Sequence, residues 1–124
     1  MKLVLKETKG TPPIFHFELF DDEGTVVGRL ELRATPTKEE SYPAGFESHF
    51  YYEIEPTQRG KGYGTQILKL GLLEAKNIGL RRVSIVCTED TASQKTIQDN
   101  GALFLDAKMT PDGKRILKYG VDFS

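Results

Sequence analysis

Three glycines at alternating positions, Gly60, Gly62 and Gly64, separate a strand-like run from an amphipathic helical pattern within Gln58-Arg59-Gly60-Lys61-Gly62-Tyr63-Gly64-Thr65. This segment restricts the fold more than any other, because a strand must end before it and a helix must start within it. Glycine lets backbone amides approach an anion with no side chain in the way. The first turn of the helix adds unpaired N–H groups and the positive end of its dipole, and Arg59 and Lys61 add formal charge. The segment is therefore built to hold a phosphate. Common glycine-rich patterns do not describe it: a P-loop needs a glycine, four intervening residues and then Gly-Lys-Ser/Thr, a dinucleotide fingerprint needs G-x-G-x-x-G, and a KH clamp needs GXXG.

Bulk properties exclude several classes of function. A chain of 124 residues forms one domain, residues 1–124, and buries roughly two-thirds of its unfolded surface. Seventeen basic against 18 acidic residues give no global attraction for nucleic acid or an anionic membrane, so any anion must be gripped locally. No apolar run approaches the roughly 20 residues of a membrane span, and residues 1–6 are too short for a signal-peptide core, which points to a cytoplasmic protein. The single cysteine, Cys87, forms no internal disulfide, and His16 and His49 stand far apart without a cysteine cluster, so no metal site is expected.

Pattern and turn chemistry give the element order. Residues 2–6 suit an edge strand. Ile14 to Phe20 and Val26 to Leu32 form a hairpin around Asp21-Asp22-Glu23-Gly24. Prolines, Ser, Gly and a Lys-Glu-Glu cluster make Ala34 to Phe46 a loop, and Ser48 to Glu55 a strand. Ile67, Leu68, Gly71, Leu72, Ala75 and Ile78 recur at helical spacing, with Gly79 as the cap. Arg82 to Cys87 alternates as a strand. A shorter helix starts near Asp90 or Thr91, where Thr91-x-x-Gln94 suggests a capping box, and stops at Gly101. Leu103 to Met109 and Arg115 to Val121 close the chain as a hairpin around Thr110-Pro111-Asp112-Gly113. The class is α/β, of the α+β kind: a mixed central sheet of about seven strands with two main helices.

Arg59-x-x-Gly62-x-Gly64 resembles the Gln/Arg-x-x-Gly-x-Gly/Ala pyrophosphate loop of the GNAT N-acetyltransferase superfamily. Tyr52-Glu53-Ile54-Glu55-Pro56 resembles the strand that ends "Val-x-Pro" just before that loop, and Glu89-Asp90-Thr91-Ala92-Ser93 with Asn100-Gly101-Ala102 is similar to its "Asn-x-Ala-Ser … Asn-Gly" segment. The likeness runs from Phe46 to Asn100 and more weakly toward both ends. The superfamily usually places two helices between its first strand and first hairpin, where this chain has only Glu7 to Pro13. The helical lid is therefore expected to be absent or replaced, with the loop from Ala34 to Glu47 nearest to that wall.

The resemblance implies an acetyl-CoA-dependent enzyme that moves an acetyl group directly to a primary amine of a small molecule or peptide. It assigns Arg59, Gly60, Lys61, Gly62, Tyr63, Gly64 and Thr65 to the pyrophosphate, and the backbone at Ile54 to the pantetheine arm and the thioester carbonyl. Asp90, Ser93 and Lys95 become further coenzyme A contacts. The plainer readings are free surface cations for Arg59 and Lys61 and a helix N-cap for Asp90.

An amine with a pKa near about 10.4 must lose a proton before it attacks. His49, Tyr51, Glu53 and Glu55 share one face of their strand. Glu53 is the first candidate base and His49 the second, against a solvated carboxylate and a histidine that satisfies a backbone group. Many relatives protonate the departing thiolate from a tyrosine at the position of Ile97, which leaves water, Tyr52 or Tyr119. A thiol pKa of about 8.5 also allows departure unaided. Cys87 reads as a small buried hydrophobe rather than a nucleophile. The alternative to an enzyme is a non-catalytic acyl-CoA-binding module of the same fold. The sheet edges beside the short N-terminal region offer a homodimer interface.

Overall fold

The computed structural model describes residues 1–38 and 46–123. Among these, the chain runs through β1 (Lys2–Lys9), β2 (Ile14–Phe20), β3 (Val26–Lys38), β4 (Glu47–Ile54), a single 3₁₀ turn (Pro56–Gln58), α1 (Tyr63–Asn77), β5 (Arg82–Thr88), α2 (Ala92–Asp99), β6 (Leu103–Met109) and β7 (Arg115–Asp122). The expected seven strands and two helices are present. They form two antiparallel sheets in place of one mixed sheet: a four-stranded sheet in the order β1-β2-β3-β4 and a three-stranded sheet in the order β5-β7-β6.

The first hairpin turns where its chemistry requires. Asp21 Oδ1 accepts the N–H groups of Glu23 at 3.0 Å and Thr25 at 2.9 Å, closing the turn through a side chain. β1 extends beyond residue 6, because its ladder with β2 continues to Lys9 opposite Ile14. Only Gly10 to Pro13 then separate β1 from β2, so no helix stands between them.

β3 corrects the expectation of a loop from Ala34. The strand continues to Lys38, and Thr37 and Lys38 pair with Ser48 and Glu47. The register jumps between Leu32 and Thr37, so residues 33–36 bulge opposite His49. Pro36 is tolerated there because no ladder bond is required of it. Residues 39–45 of the proposed wall lie outside the described residues.

α1 buries Ile67, Leu68, Gly71, Leu72 and Ala75 of the expected stripe against β3 and β4, while Ile78 is the C-cap and stays exposed. Each fully buried aliphatic side chain contributes about 1.5–3 kcal/mol. Gly71 sets the spacing: a Cβ there would meet Leu30 Cδ2 at 2.7 Å and Phe50 Cε1 at 3.3 Å. The core also takes in Val83, Ile85 and Cys87 of β5 and Ile97 of α2, and so spans both sheets.

No backbone ladder joins β4 to β5 among the described residues. Side chains join their starts instead. Ser84 N–H donates to His49 Nδ1 at 2.9 Å, and Ser84 Oγ donates to the Glu47 carbonyl at 2.7 Å. The far end of β4 keeps an open edge, and the candidate site lies there.

Candidate active site

β4 ends at Ile54, and its open edge can be read from its bonds. Glu55 N–H donates to Val27 O at 2.9 Å on β3, so strand alternation turns the N–H and C=O of Ile54 the other way. The carbonyl is occupied: Arg59 Nε donates to it at 3.1 Å. The Ile54 N–H faces the space that a neighbouring strand would fill.

The glycine loop then turns into α1. Gly60 and Gly62 adopt φ of 80° and 82°, a region that residues with a Cβ enter at a cost. Gly62 is the N-cap of α1 and has no side chain with which to cap it. Helix geometry therefore leaves the amides of the first turn for a ligand.

α2 forms the opposite wall. Its N-cap, Thr91, accepts the Gln94 N–H at 3.3 Å through Oγ1, while Gln94 Oε1 accepts the N–H of Asp90 at 2.8 Å. The reciprocal bond of the capping box thus falls one residue earlier than expected, and Asp90 is held at φ 62°. Asn100 Nδ2 donates to the carbonyls of Thr65 at 3.2 Å and Thr96 at 3.0 Å, tying the start of α1 to α2.

Between these elements lies a cleft of about 600 Å³. Ile54, Arg59, Gly60, Gly62, Tyr63, Gly64, Thr65, Ser93 and Lys95 line it, together with Tyr52 and Glu53. Lys61 and Asp90 do not. Lys61 Nζ donates to Gln58 Oε1 at 3.0 Å, and Asp90 serves the turn before α2. Lys95 reaches the cleft while paired with Asp99 at 3.3 Å. Thr96 and Asp99 also line it and were not singled out in the sequence. Their signal is the stripe Ala92, Lys95, Thr96 and Asp99, which shares one face of α2 at helical spacing.

Glu53 borders two spaces. It lines the cleft and also a second hollow of about 370 Å³ on the outer face of the first sheet. Register places Glu18, Arg29 and Glu53 side by side there, and His16, Glu31 and Tyr51 in the next row. The Glu53 carboxylate is half-exposed and stands 3.9 Å from Arg59 Nη2.

The second candidate base is placed elsewhere. His49 is buried and lines neither space. Its Nδ1 accepts the Ser84 N–H, so the ring proton sits on Nε2, and burial pushes its pKa below the ordinary value of 6.5. A histidine held in this way bridges β4 to β5. Cys87 is likewise structural: buried in the core, its thiol is pushed up to about 11 by desolvation.

A glycine-rich loop, an uncapped helix start, a strand end with a free edge and a carboxylate beside it thus border one cleft. Residues 3–101 match the sequence pattern of the acetyltransferase (GNAT) family. The chain belongs to that family. A search of curated protein sequences finds no match. Among solved structures, an N-acetyltransferase from Staphylococcus aureus Mu50 is 22% identical, with 90% of this chain and 68% of that one covered and a TM-score of 0.62. A variant of the spermidine N-acetyltransferase SpeG from Vibrio cholerae is 15% identical, with 88% and 65% covered and a TM-score of 0.69. An aminoglycoside acetyltransferase AAC(6')-Ib in complex with coenzyme A is 12% identical, with 89% and 66% covered and a TM-score of 0.67. At these identities the likeness is one of fold, and the chain spans about two thirds of the length of each. Among its described residues no helix is long and apolar enough to cross a membrane.

Proposed function

We propose that this acetyltransferase binds acetyl-CoA in the cleft and passes its acetyl group directly to a primary amine of a small molecule or peptide. One observation carries the reading: the uncapped first turn of α1, the cations Arg59 and Lys95, and the free N–H of Ile54 converge on a single cleft. Bound there, acetyl-CoA supplies an acetyl group activated as a thioester. The amides of Gly62 to Thr65 hold the pyrophosphate, Arg59 and Lys95 offset its charge, and Ser93 faces the arm. Lys61 and Asp90 act from behind the lining, through the loop and through the cap of α2.

The Ile54 N–H supplies a hydrogen bond where the acetyl oxygen gains negative charge; the loss of one such donor costs roughly 2.7–4 kcal/mol in enzymes of this general kind. Glu53 is the base. It lies between the cleft and the outer hollow, so an amine that enters from the outer face meets the carboxylate before it meets the acetyl group. A cytoplasmic location belongs to the same reading. So does a homodimer formed at a sheet edge, since β6 is an outer strand and exposes Leu103, Phe104, Leu105 and Met109; a monomeric elution volume at every concentration would remove it.

Calorimetric titration with acetyl-CoA, beside an Arg59→Glu, Gly62→Asp double variant and an ADP control, tests the reading. Binding that the double variant loses supports the cleft. No binding by folded wild-type protein removes it. Release of free thiol with pooled amines then separates an enzyme from a binding module, the reading favoured by the buried Ile97 at the relatives' tyrosine position.

A further inference from the structure

β6 ends its sheet without a further strand among the described residues. Its Leu103, Phe104, Leu105 and Met109 are 53% to 73% exposed, an apolar run on an edge where charges usually stand guard. Which of its backbone groups face outward follows from the bonds around it. Arg115 O accepts the Glu89 N–H at 2.9 Å on the β5 side of β7. The Met109–Arg115 pair therefore carries no ladder bond, and Met109 turns its N–H and C=O to the open edge. Thr110 N–H points the other way, to Lys114 O at 2.8 Å. Alternation turns Ala107 outward with Met109, and Asp106 and Lys108 inward to Lys118 and Ile116. The Ala107 N–H agrees: it donates to Asp106 Oδ1 at 2.8 Å and not to β7.

An antiparallel strand added to this edge must set outward residues against outward residues. For a second copy of β6 related by a two-fold axis, one residue then faces itself across the axis. Centred on Asp106 or on Lys108, the pairing opposes like charges. Centred on Leu105, it falls on the irregularity that interrupts the ladder between Phe104 and Asp106. Centred on Met109, it sets Ala107 against Pro111 of the turn, which has no N–H to give. Centred on Ala107, it sets Asp106 of each copy opposite Lys108 of the other, and Leu105 opposite Met109. The two Ala107 residues then exchange N–H to carbonyl bonds.

Resting on the homodimer reading above, and independent of the acetyl-CoA reading, we infer that the partner at this edge is a second copy of the chain, held by antiparallel pairing of β6 with β6 centred on Ala107. Pairing moves the Ala107 N–H from the Asp106 carboxylate to the carbonyl across the axis, and the carboxylate turns to the opposite Lys108. Asp106 and Lys108 share one face of the strand, the face on which Lys108 Nζ lies over the Phe46 ring at 4.9 Å. A strand pair this short is at the low end of specific interfaces, below about 1,200 Å² in total. The dimer is therefore reversible, and its population depends on concentration.

Sedimentation from about 1 μM to about 1 mM, a range that brackets micromolar association, should take the wild-type protein from monomer to dimer. Asp106→Lys and Lys108→Asp each set like charges opposite one another twice. Each should weaken self-association by about tenfold or more, with the melting temperature held. An equal mixture of the two variants should dimerise at the wild-type concentration, because each meets the opposite charge on the other. On unaltered protein, amide exchange at Ala107 and Met109 should slow as concentration rises. Wild-type protein that stays monomeric throughout overturns the homodimer itself. A dimer that survives in either variant, a mixture that stays monomeric, or exchange at Ala107 that ignores concentration overturns this pairing. The acetyl-CoA reading stands or falls on the cofactor titration alone.

Discussion

Arg59 reaches back across the 3₁₀ turn to Ile54, its Nε donating to the strand's last carbonyl at 3.1 Å. The cation that opens the loop is thereby fixed to the strand end that borders the cleft, with Nη2 standing 3.9 Å from the Glu53 carboxylate. Arg59→Ala should weaken acetyl-CoA by roughly 1.5–3 kcal/mol, the worth of a hydrogen bond to a charged group. Arg59→Lys should recover only part of it, since lysine keeps the charge without the planar fork. Arg59 is exposed, so the melting temperature should hardly move. Calorimetry and thermal unfolding check both expectations, and unchanged affinity in Arg59→Ala would make Arg59 a surface cation.

Glu53→Gln keeps the shape of the side chain and removes the proposed base. With acetyl-CoA affinity unchanged, kcat should fall by about 10²–10⁴. Activity should return in part as the pH rises toward the pKa of the amine, about 10.4, where the acceptor no longer needs a base. A variant with wild-type kcat near pH 7 would leave Glu53 a solvated carboxylate.

His49 connects pH to the joint between the sheets. Its folded pKa lies below 6.5 because burial disfavours the charged ring. Above 6.5 both folded and unfolded chains carry it neutral, and its contribution is fully present. As pH falls below 6.5 the unfolded chain binds the proton first, and the contribution is lost as pH falls through the folded pKa. His49→Asn should be less stable near pH 7, where the bond to Ser84 is strained or lost, yet show a flatter decline in acid. Denaturant titrations across this range decide it, and parallel pH profiles would count against the bridge.

Gly71→Ala sets helix propensity against packing. Alanine gains about 0.8–1 kcal/mol over glycine within a helix, but its Cβ would lie 2.7 Å from Leu30 Cδ2. Leu30 is fully buried and cannot swing aside, and overpacking of this kind costs about 1–3 kcal/mol. The variant should be less stable by about 1 kcal/mol, read as a lower denaturant midpoint. A gain in stability would mean that α1 can lift from β3 without cost.

Much of the architecture was legible because its causes are local. Asp21 closes the first hairpin through bonds to its neighbours at positions 23 and 25, and Gly79 and Gly101, both at positive φ, follow the two helices. The α1 stripe from Ile67 to Ala75 needs only the helical period to be recognised. β3 was not legible beyond Leu32. Its continuation depends on Ser48 and Glu47 as partners across a bulge, and Pro36 speaks against a strand when read alone.

The candidate site divides in the same way. The sequence by itself determined that a glycine-rich, cationic loop opens α1, because glycine spacing, charge and a helix start act within eight consecutive residues. Only the tertiary structure decided which side chains surround it. The two sheets meet through His49 and Ser84, 35 residues apart, and that joint leaves the far end of β4 open. The same packing brings Thr96 and Asp99 of α2 to the cleft and leaves the Tyr52 oxygen without a partner. Such relations arise from burial and from contacts between distant segments, and neither is carried by the local period or propensity of a chain.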